Sequence, residues 1–169
     1  MIIVEKVSTE AIPVIRLLAK ITWAVAYKEI LSPEQLQYML ELIYSESALQ
    51  KQIKEQQHQF ILAKDTETNE SVGFASYSIK NTIEPQTFRL HKLYVDPGQQ
   101  GKGTGKILLD FIIADIKTAD ADTLELNVNR YNKALSFYQK TGFHIIREED
   151  IDIGSGYFMN DYVMELPVK

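Results

Sequence analysis

The sequence predicts an α+β fold, a mixed sheet of about seven strands with four to five helices, and three observations predict it. Three strand-like runs, Phe60–Ala63, Val72–Ile79 and Phe88–Val95, sit together as an antiparallel meander. A helix–strand–helix passage follows, with a strong helix over Ile107 to Ile116, a strand over Thr123 to Val128 and a helix from about Tyr131 to Lys140. Two closing strands, Phe143–Arg147 and Tyr157–Leu166, flank an acidic, glycine-containing loop and read as a hairpin.

Each element has its own signal. Ile2–Lys6 is a short strand. From Thr9 to Tyr27 the apolar residues Ile12, Ile15, Leu18, Ile21, Val25 and Ala26 recur at helical spacing, with Pro13 in the first turn. Ser32-Pro33-Glu34 is a helix start: a capping residue, proline at the first helical position, then an acid. That helix carries Leu36, Met39, Leu40 and Ile43, and a third stretch, Ser45 to Glu55, carries Ala48, Leu49 and Ile53. Asp65–Glu70 is a polar turn between strands. On the strong helix, Ile107, Leu108, Phe111, Ile112 and Ile116 share one side, and Gly142 is placed to cap the helix that ends at Lys140.

Composition bounds the function. The chain has 169 residues, enough for one domain with a substantial core, and residues 1–169 read as a single domain with no repeat, linker or low-complexity tract. It has no cysteine, so disulfides, thiolate metal ligands and a cysteine nucleophile are excluded, and no metal site is expected. A net charge of −5 argues against a general nucleic-acid binder and is compatible with a cationic ligand. The first residues lack the basic and long apolar regions of a signal peptide, and no apolar run approaches the ~20 residues that span a bilayer, so a cytoplasmic protein without membrane contact is expected.

The most informative stretch joins the third meander strand to the strong helix. Leu90–Val95 meets a turn at Asp96-Pro97-Gly98, and Gln100-Gly101-Lys102-Gly103-Thr104-Gly105 then leads into the helix. Strand, glycine-rich turn and helix N-terminus together present free backbone N–H groups to phosphate oxygens. Two familiar phosphate loops fail here. The Gly-x-x-x-x-Gly-Lys-Ser/Thr pattern would end at Gly105-Lys106, but Gln100 stands where its first glycine belongs and Ile107 where its hydroxyl belongs. Gly-x-Gly-x-x-Gly needs a parallel sheet and different glycine spacing.

The run does resemble the signature Gln/Arg-x-x-Gly-x-Gly/Ala of the GNAT superfamily of N-acetyltransferases, met at Gln100, Gly103 and Gly105. A second motif resembles the same family: Ala134 to Phe143 carries the helix-plus-turn ending Tyr138-x-x-x-Gly142-Phe143. The resemblance covers essentially the whole chain and implies the GNAT fold, with acetyl-CoA as cofactor. It implies that backbone amides from Gln100 through Gly101, Lys102, Gly103, Thr104 and Gly105 cradle the pyrophosphate, with Lys102 and Lys106 adding charge. Leu93, Tyr94 and Val95 would pair with the pantetheine arm as with an extra strand.

Acetyl transfer to an amine needs a base, a stabilised oxyanion and an acid for the leaving thiolate. Tyr138 matches the family tyrosine that serves as acid. Where many members carry a glutamate before the glycine loop, this chain has His91, whose imidazole is able to accept a proton directly or through water; a water chain ending at Glu29 is the other route. The family asparagine is met either by Asn132, as a cofactor contact, or by Asn129. The acceptor end is expected at the first helices and the closing loop, with Trp23, Tyr27 and Glu29 as contacts. The stretch Thr22–Lys28 with Ser32-Pro33-Glu34, and Asp161–Met164, is loosely similar to bacterial spermidine/spermine N-acetyltransferases of the Pai type. A small polyamine-like amine is the favoured acceptor. A protein N-terminus or lysine, and a non-catalytic acyl-CoA sensor, remain alternatives, and a homodimer is compatible with the family.

Overall fold

The computed structural model describes residues 1–169. A seven-stranded sheet runs in the order β1-β2-β3-β4-β5-β7-β6. Its strands are β1 Ile2–Val7, β2 Gln59–Asp65, β3 Ser71–Ile79, β4 Thr87–Val95, β5 Thr123–Asn129, β6 His144–Gly154 and β7 Tyr157–Pro167. The helices are α1 Ile12–Ala26, α2 Pro33–Tyr44, α3 Glu46–Lys54, α4 Thr104–Thr118 and α5 Ala134–Lys140. The expected α+β class, the meander, the β4–α4–β5 crossover and the closing hairpin are all present. Every neighbouring pair is antiparallel except β4 and β5, which the crossover makes parallel.

Helix starts follow local chemistry. The Ser32 hydroxyl accepts from the Gln35 N–H at 3.1 Å and the Ser45 hydroxyl from the Ala48 N–H at 3.2 Å, which satisfies donors that α2 and α3 would leave free. Gly142 follows α5 with φ +107°, in the left-handed region open to glycine.

The sheet separates two cores. α4 and α5 cover one face, where Leu108, Leu109, Ile112 and Ile116 pack on Ile61, Ala75, Leu90, Leu124 and Leu126. α1, α2 and α3 cover the other, where Ile15, Leu18, Ala19, Trp23 and Leu49 pack on Phe60, Leu62 and Phe74. On α1 the expected core positions divide: Ile15 and Leu18 are buried, whereas Ile21 and Val25 face outward.

Three expectations are corrected. α4 begins at Thr104, so the glycine run supplies its first turn. α5 begins at Ala134, because Asn129 and Asn132 use their side chains to close the preceding turns on Tyr131 and Ala134. The acidic segment Glu148–Asp152 is strand, not loop: β6 pairs with β7 as far as Gly154, and only Ser155-Gly156 turns the chain.

One irregularity positions the site. On β3, Ser76 opposes Lys92 and Tyr77 opposes Leu90, which leaves His91 as an extra residue on β4. The parallel register of β4 with β5 stops at the Leu90–Leu126 pair, while β5 continues beside β7 to Asn129. A bulge bends the strand that carries it. Beyond the bulge, residues 91–95 of β4 have lost their β5 partners.

Candidate active site

Where β4 leaves β5, a cavity of about 1100 Å³ opens through the sheet. One end is the glycine run. Gly101 and Gly103 have φ values of +81° and +80°, and a Cβ on either would meet nothing within 4 Å, so both turn toward open space. The amide N–H groups of Gly103, Thr104, Gly105 and Lys106 donate to no carbonyl or side chain. Thr104 is 2% exposed and its Oγ1 is buried without a partner. Free amides at a helix N-terminus, an orphaned hydroxyl and glycines that leave room fit a pyrophosphate.

The lysines fit less well. The Lys106 Nζ sits 2.7 Å from Asp110, and Lys102 leans 3.1 Å from the Gln99 side-chain oxygen without lining the cavity. Gln100 is exposed at the rim. The cradle is therefore a backbone device.

Leu93, Tyr94 and Val95 form one wall of the cleft, and Leu126, Asn127 and Val128 of β5 form the other. Sequence reasoning missed the β5 wall, although Glu125, Asn127 and Asn129 at alternate positions of the strand marked its polar face. Asn127 is the junction of a polar network: it accepts from Arg89, which also pairs with Glu125, and donates at 3.3 Å to both Glu149 and Asp161. Burial holds the Asp161 carboxyl above its ordinary range.

Tyr138 lines the cavity from the α5 side, its ring held edge-on by Phe137 and Phe143 at 5.3 and 5.5 Å. No protein group hydrogen-bonds its hydroxyl. Burial, with Tyr27 nearby, pushes it well above the ordinary phenol range, so it stays protonated at neutral pH.

Tyr27 reaches the cavity from the opposite core, through the gap in the sheet. Its hydroxyl lies 3.1 Å from that of Tyr94 and receives the Asn132 amide at 3.4 Å. Asn132 thus lines the cavity and also accepts from the Ala134 N–H at 2.9 Å, whereas Asn129 does not reach the cavity. Trp23, expected at the acceptor, is instead core, 3% exposed, packed behind Tyr27 with ring centroids 4.5 Å apart and planes tilted by 40°. Glu29 stands exposed at the mouth.

His91 also lines the cavity. Its ring stacks on His58 with centroids 3.8 Å apart, and its Nε2 lies 2.7 Å from the Ser78 hydroxyl. Burial, followed by His58, Lys92 and Arg89, pulls it down to about 2. It is an unprotonated acceptor of low basicity. Lys92, the next residue, is buried and turned toward Tyr44 and Phe60, with its Nζ on the Gln52 side-chain oxygen at 2.7 Å.

A parted β4–β5 pair, a glycine cradle at the following helix and a lone tyrosine hydroxyl facing the gap together form a cleft that fits a coenzyme A thioester. The comparisons agree: the model of the acetyltransferase (GNAT) domain matches residues 27–164, and the chain belongs to that family. It is 32% identical over 103 residues to a [ribosomal protein bS18]-alanine N-acetyltransferase of Haemophilus influenzae, a match covering 61% of this chain and 64% of that protein. It is 32% identical over 94 residues to the peptidyl-lysine N-acetyltransferase YjaB of Salmonella typhimurium, covering 54% and 56%. The chain thus aligns with less than two thirds of either curated relative. The crystal structure of the PaiA N-acetyltransferase of Thermoplasma acidophilum in complex with coenzyme A superposes with a TM-score of 0.82, at 27% identity over 99% of both chains. The expected cofactor, acetyl-CoA, accords with the coenzyme A bound in that neighbour.

Proposed function

We propose that the protein transfers the acetyl group of acetyl-CoA to a primary amine of a small cationic molecule, polyamine-like in character. The observation that carries this reading is the continuous cleft from the free amides of Gly103–Lys106 to the unpartnered hydroxyl of Tyr138. Acetyl-CoA supplies a thioester carbonyl carbon for the amine to attack. The residues do the rest. The glycine cradle holds the phosphates, and the backbone of residues 93–95, free on its β5 side, aligns the arm. Tyr138, kept neutral by burial, gives its proton to the departing sulfur. His91, pulled down to about 2, is too weak a base for an ammonium whose ordinary value is ~10.4, so the amine sheds its proton to water in the cleft rather than to the imidazole. Glu29 at the mouth, and the carboxylates of Glu149 and Asp161 behind Asn127, favour a cation at the acceptor end.

A second reading, acetylation of a protein N-terminus or lysine, is favoured by the two curated relatives, whose names describe those activities. A thiol-release assay with acetyl-CoA over spermidine, simple amines and peptides with free α-amino or lysine groups tests both. Release with spermidine well above the peptides is the expected result. Release confined to peptides sinks the small-molecule reading, and acetyl-CoA binding without release to any amine leaves a sensor.

A further inference from the structure

We propose that the Tyr27 hydroxyl is a catalytic hydrogen-bond donor to the carbonyl oxygen that becomes negative during acyl transfer. This rests on the acetyltransferase reading and assigns Tyr27 a role distinct from holding the acceptor.

The ring is fixed in place. Tyr27 ends α1, with its N–H on the Trp23 carbonyl at 3.1 Å, and is only 6% exposed. Trp23 packs on it at 4.5 Å and on Tyr94 at 5.7 Å, both pairs tilted, so three aromatic rings lock together.

The hydroxyl proton is then directed by its neighbours. Asn132 has its Oδ1 occupied by the Ala134 N–H, which fixes the amide and leaves its Nδ2 to donate to Tyr27. Tyr94 has no hydroxyl partner except Tyr27. Two hydroxyls that share one hydrogen bond have one proton to spare. If Tyr27 donated, the spare proton would sit on Tyr94, which also lines the cavity but whose oxygen no second donor orients. If Tyr94 donates, its proton is satisfied, the Tyr27 oxygen accepts twice, and the Tyr27 proton points to the cavity that Tyr27 lines. Accepting two hydrogen bonds also polarises the O–H toward donation.

Tyr27 and Tyr138 therefore face one cavity from opposite cores with different tasks. As the amine nitrogen bonds to the carbonyl carbon, the π pair moves to oxygen, and Tyr27 donates a hydrogen bond there without losing its proton. When the pair returns and the C–S bond breaks, Tyr138 protonates sulfur. The proton released by the amine leaves through water and restores Tyr138. Burial raises both phenols above their ordinary range, so neither ionises at neutral pH. Loss of one such donor typically lowers kcat by about 10²–10³-fold.

The test is the infrared carbonyl band of acetyl-CoA labelled with ¹³C at the carbonyl, bound to the full chain, alongside turnover and the affinity for coenzyme A. The wild type and Tyr138→Phe should show a band at lower frequency than Tyr27→Phe. Tyr27→Phe should also lose turnover while keeping coenzyme A affinity within about threefold. Tyr94→Phe and Asn132→Ala, which leave the Tyr27 ring in place, should move the band part of the way. A band indifferent to all three substitutions overturns the proposal, as does a Tyr27→Phe whose coenzyme A affinity falls as far as its turnover. If the wild type binds acetyl-CoA and acetylates amines but the band does not respond, the donor role alone fails; if acetyl-CoA does not bind, the acetyltransferase reading falls with it.

Discussion

Lys92→Met should stabilise the protein at pH 6 and remove a pH dependence that the wild type shows between pH 7 and 10. The Lys92 ammonium is 7% exposed, forms no ion pair, and has one hydrogen bond to Gln52 and two aromatic rings about 5.5 Å away. Burial pulls it down to about 7 from an ordinary 10.5. The unfolded chain therefore binds this proton more tightly than the folded one between pH 7 and 10.5, and stability rises with pH across that window. Below pH 7 both states are protonated and the full cost remains. At about 1.4 kcal/mol per pH unit, the gap amounts to about 5 kcal/mol. Methionine keeps the apolar contact with Tyr44 and Phe60 but leaves the Gln52 oxygen without its donor, which costs about 1–3 kcal/mol. The variant should thus be about 2–4 kcal/mol more stable at pH 6, with the advantage shrinking above pH 7 and gone by pH 10. Urea unfolding of both proteins from pH 6 to 10 measures it. Parallel curves across that range would refute the reasoning, because a lysine that stays charged in the fold contributes no such slope.

Gly103→Val should cut acetyl-CoA affinity by at least about 100-fold by calorimetry, since its side chain would enter the phosphate cradle from a left-handed backbone that costs about 1–2 kcal/mol to hold. Its far-ultraviolet circular dichroism should match the wild type; full affinity would remove the cradle from the site. Tyr138→Phe should lower kcat by about 10²-fold or more and leave the Kd for acetyl-CoA within a few fold, and an unchanged kcat would end its role as acid. His91 and His58 lie at about 2 and 4 in the fold, below the ordinary 6.5, so the unfolded chain gains their protons first as pH falls and stability drops from about pH 6.5 downward. His91→Phe should flatten that fall by about 1 kcal/mol per pH unit between pH 6.5 and 4.5 in denaturant titrations, and an equally steep fall would mean the imidazole protonates freely in the folded state.

Local chemistry made much of the fold legible. Ser32 and Ser45 cap the helices they precede, Gly142 ends its helix, and Gln100–Gly105 opens onto α4, because each is decided within one or two turns of chain. What escaped were features decided by distant partners. Glu148–Asp152 has the composition of a solvated loop. It is strand because β7 supplies its ladder, and because Arg147 and Arg130 take Glu149 and Glu148. Trp23 and Tyr27 share a helix face, yet only the second reaches the cavity, because Tyr94 and Tyr44 from other elements close around the first.

The least legible feature is the one on which the site depends. Leu90-His91-Lys92-Leu93 reads as an unbroken part of a strand, with His91 as a candidate base. In the fold, the apolar alternation is interrupted by one residue: Leu90 and Leu93 lie on the α4 face, while Lys92 lies against Phe60 on the other. The extra residue is His91, and the β4–β5 pairing ends beside it. Without the bulge, Lys92 would move to the α4 face, Leu93 and Val95 would leave that core, and β4 would keep its register with β5 across the line where Tyr27 and Tyr138 now meet. The buried lysine and the stacked histidines thus accompany the gap. An uncomfortable charge is retained in the core because the same one-residue offset opens the sheet to its ligand.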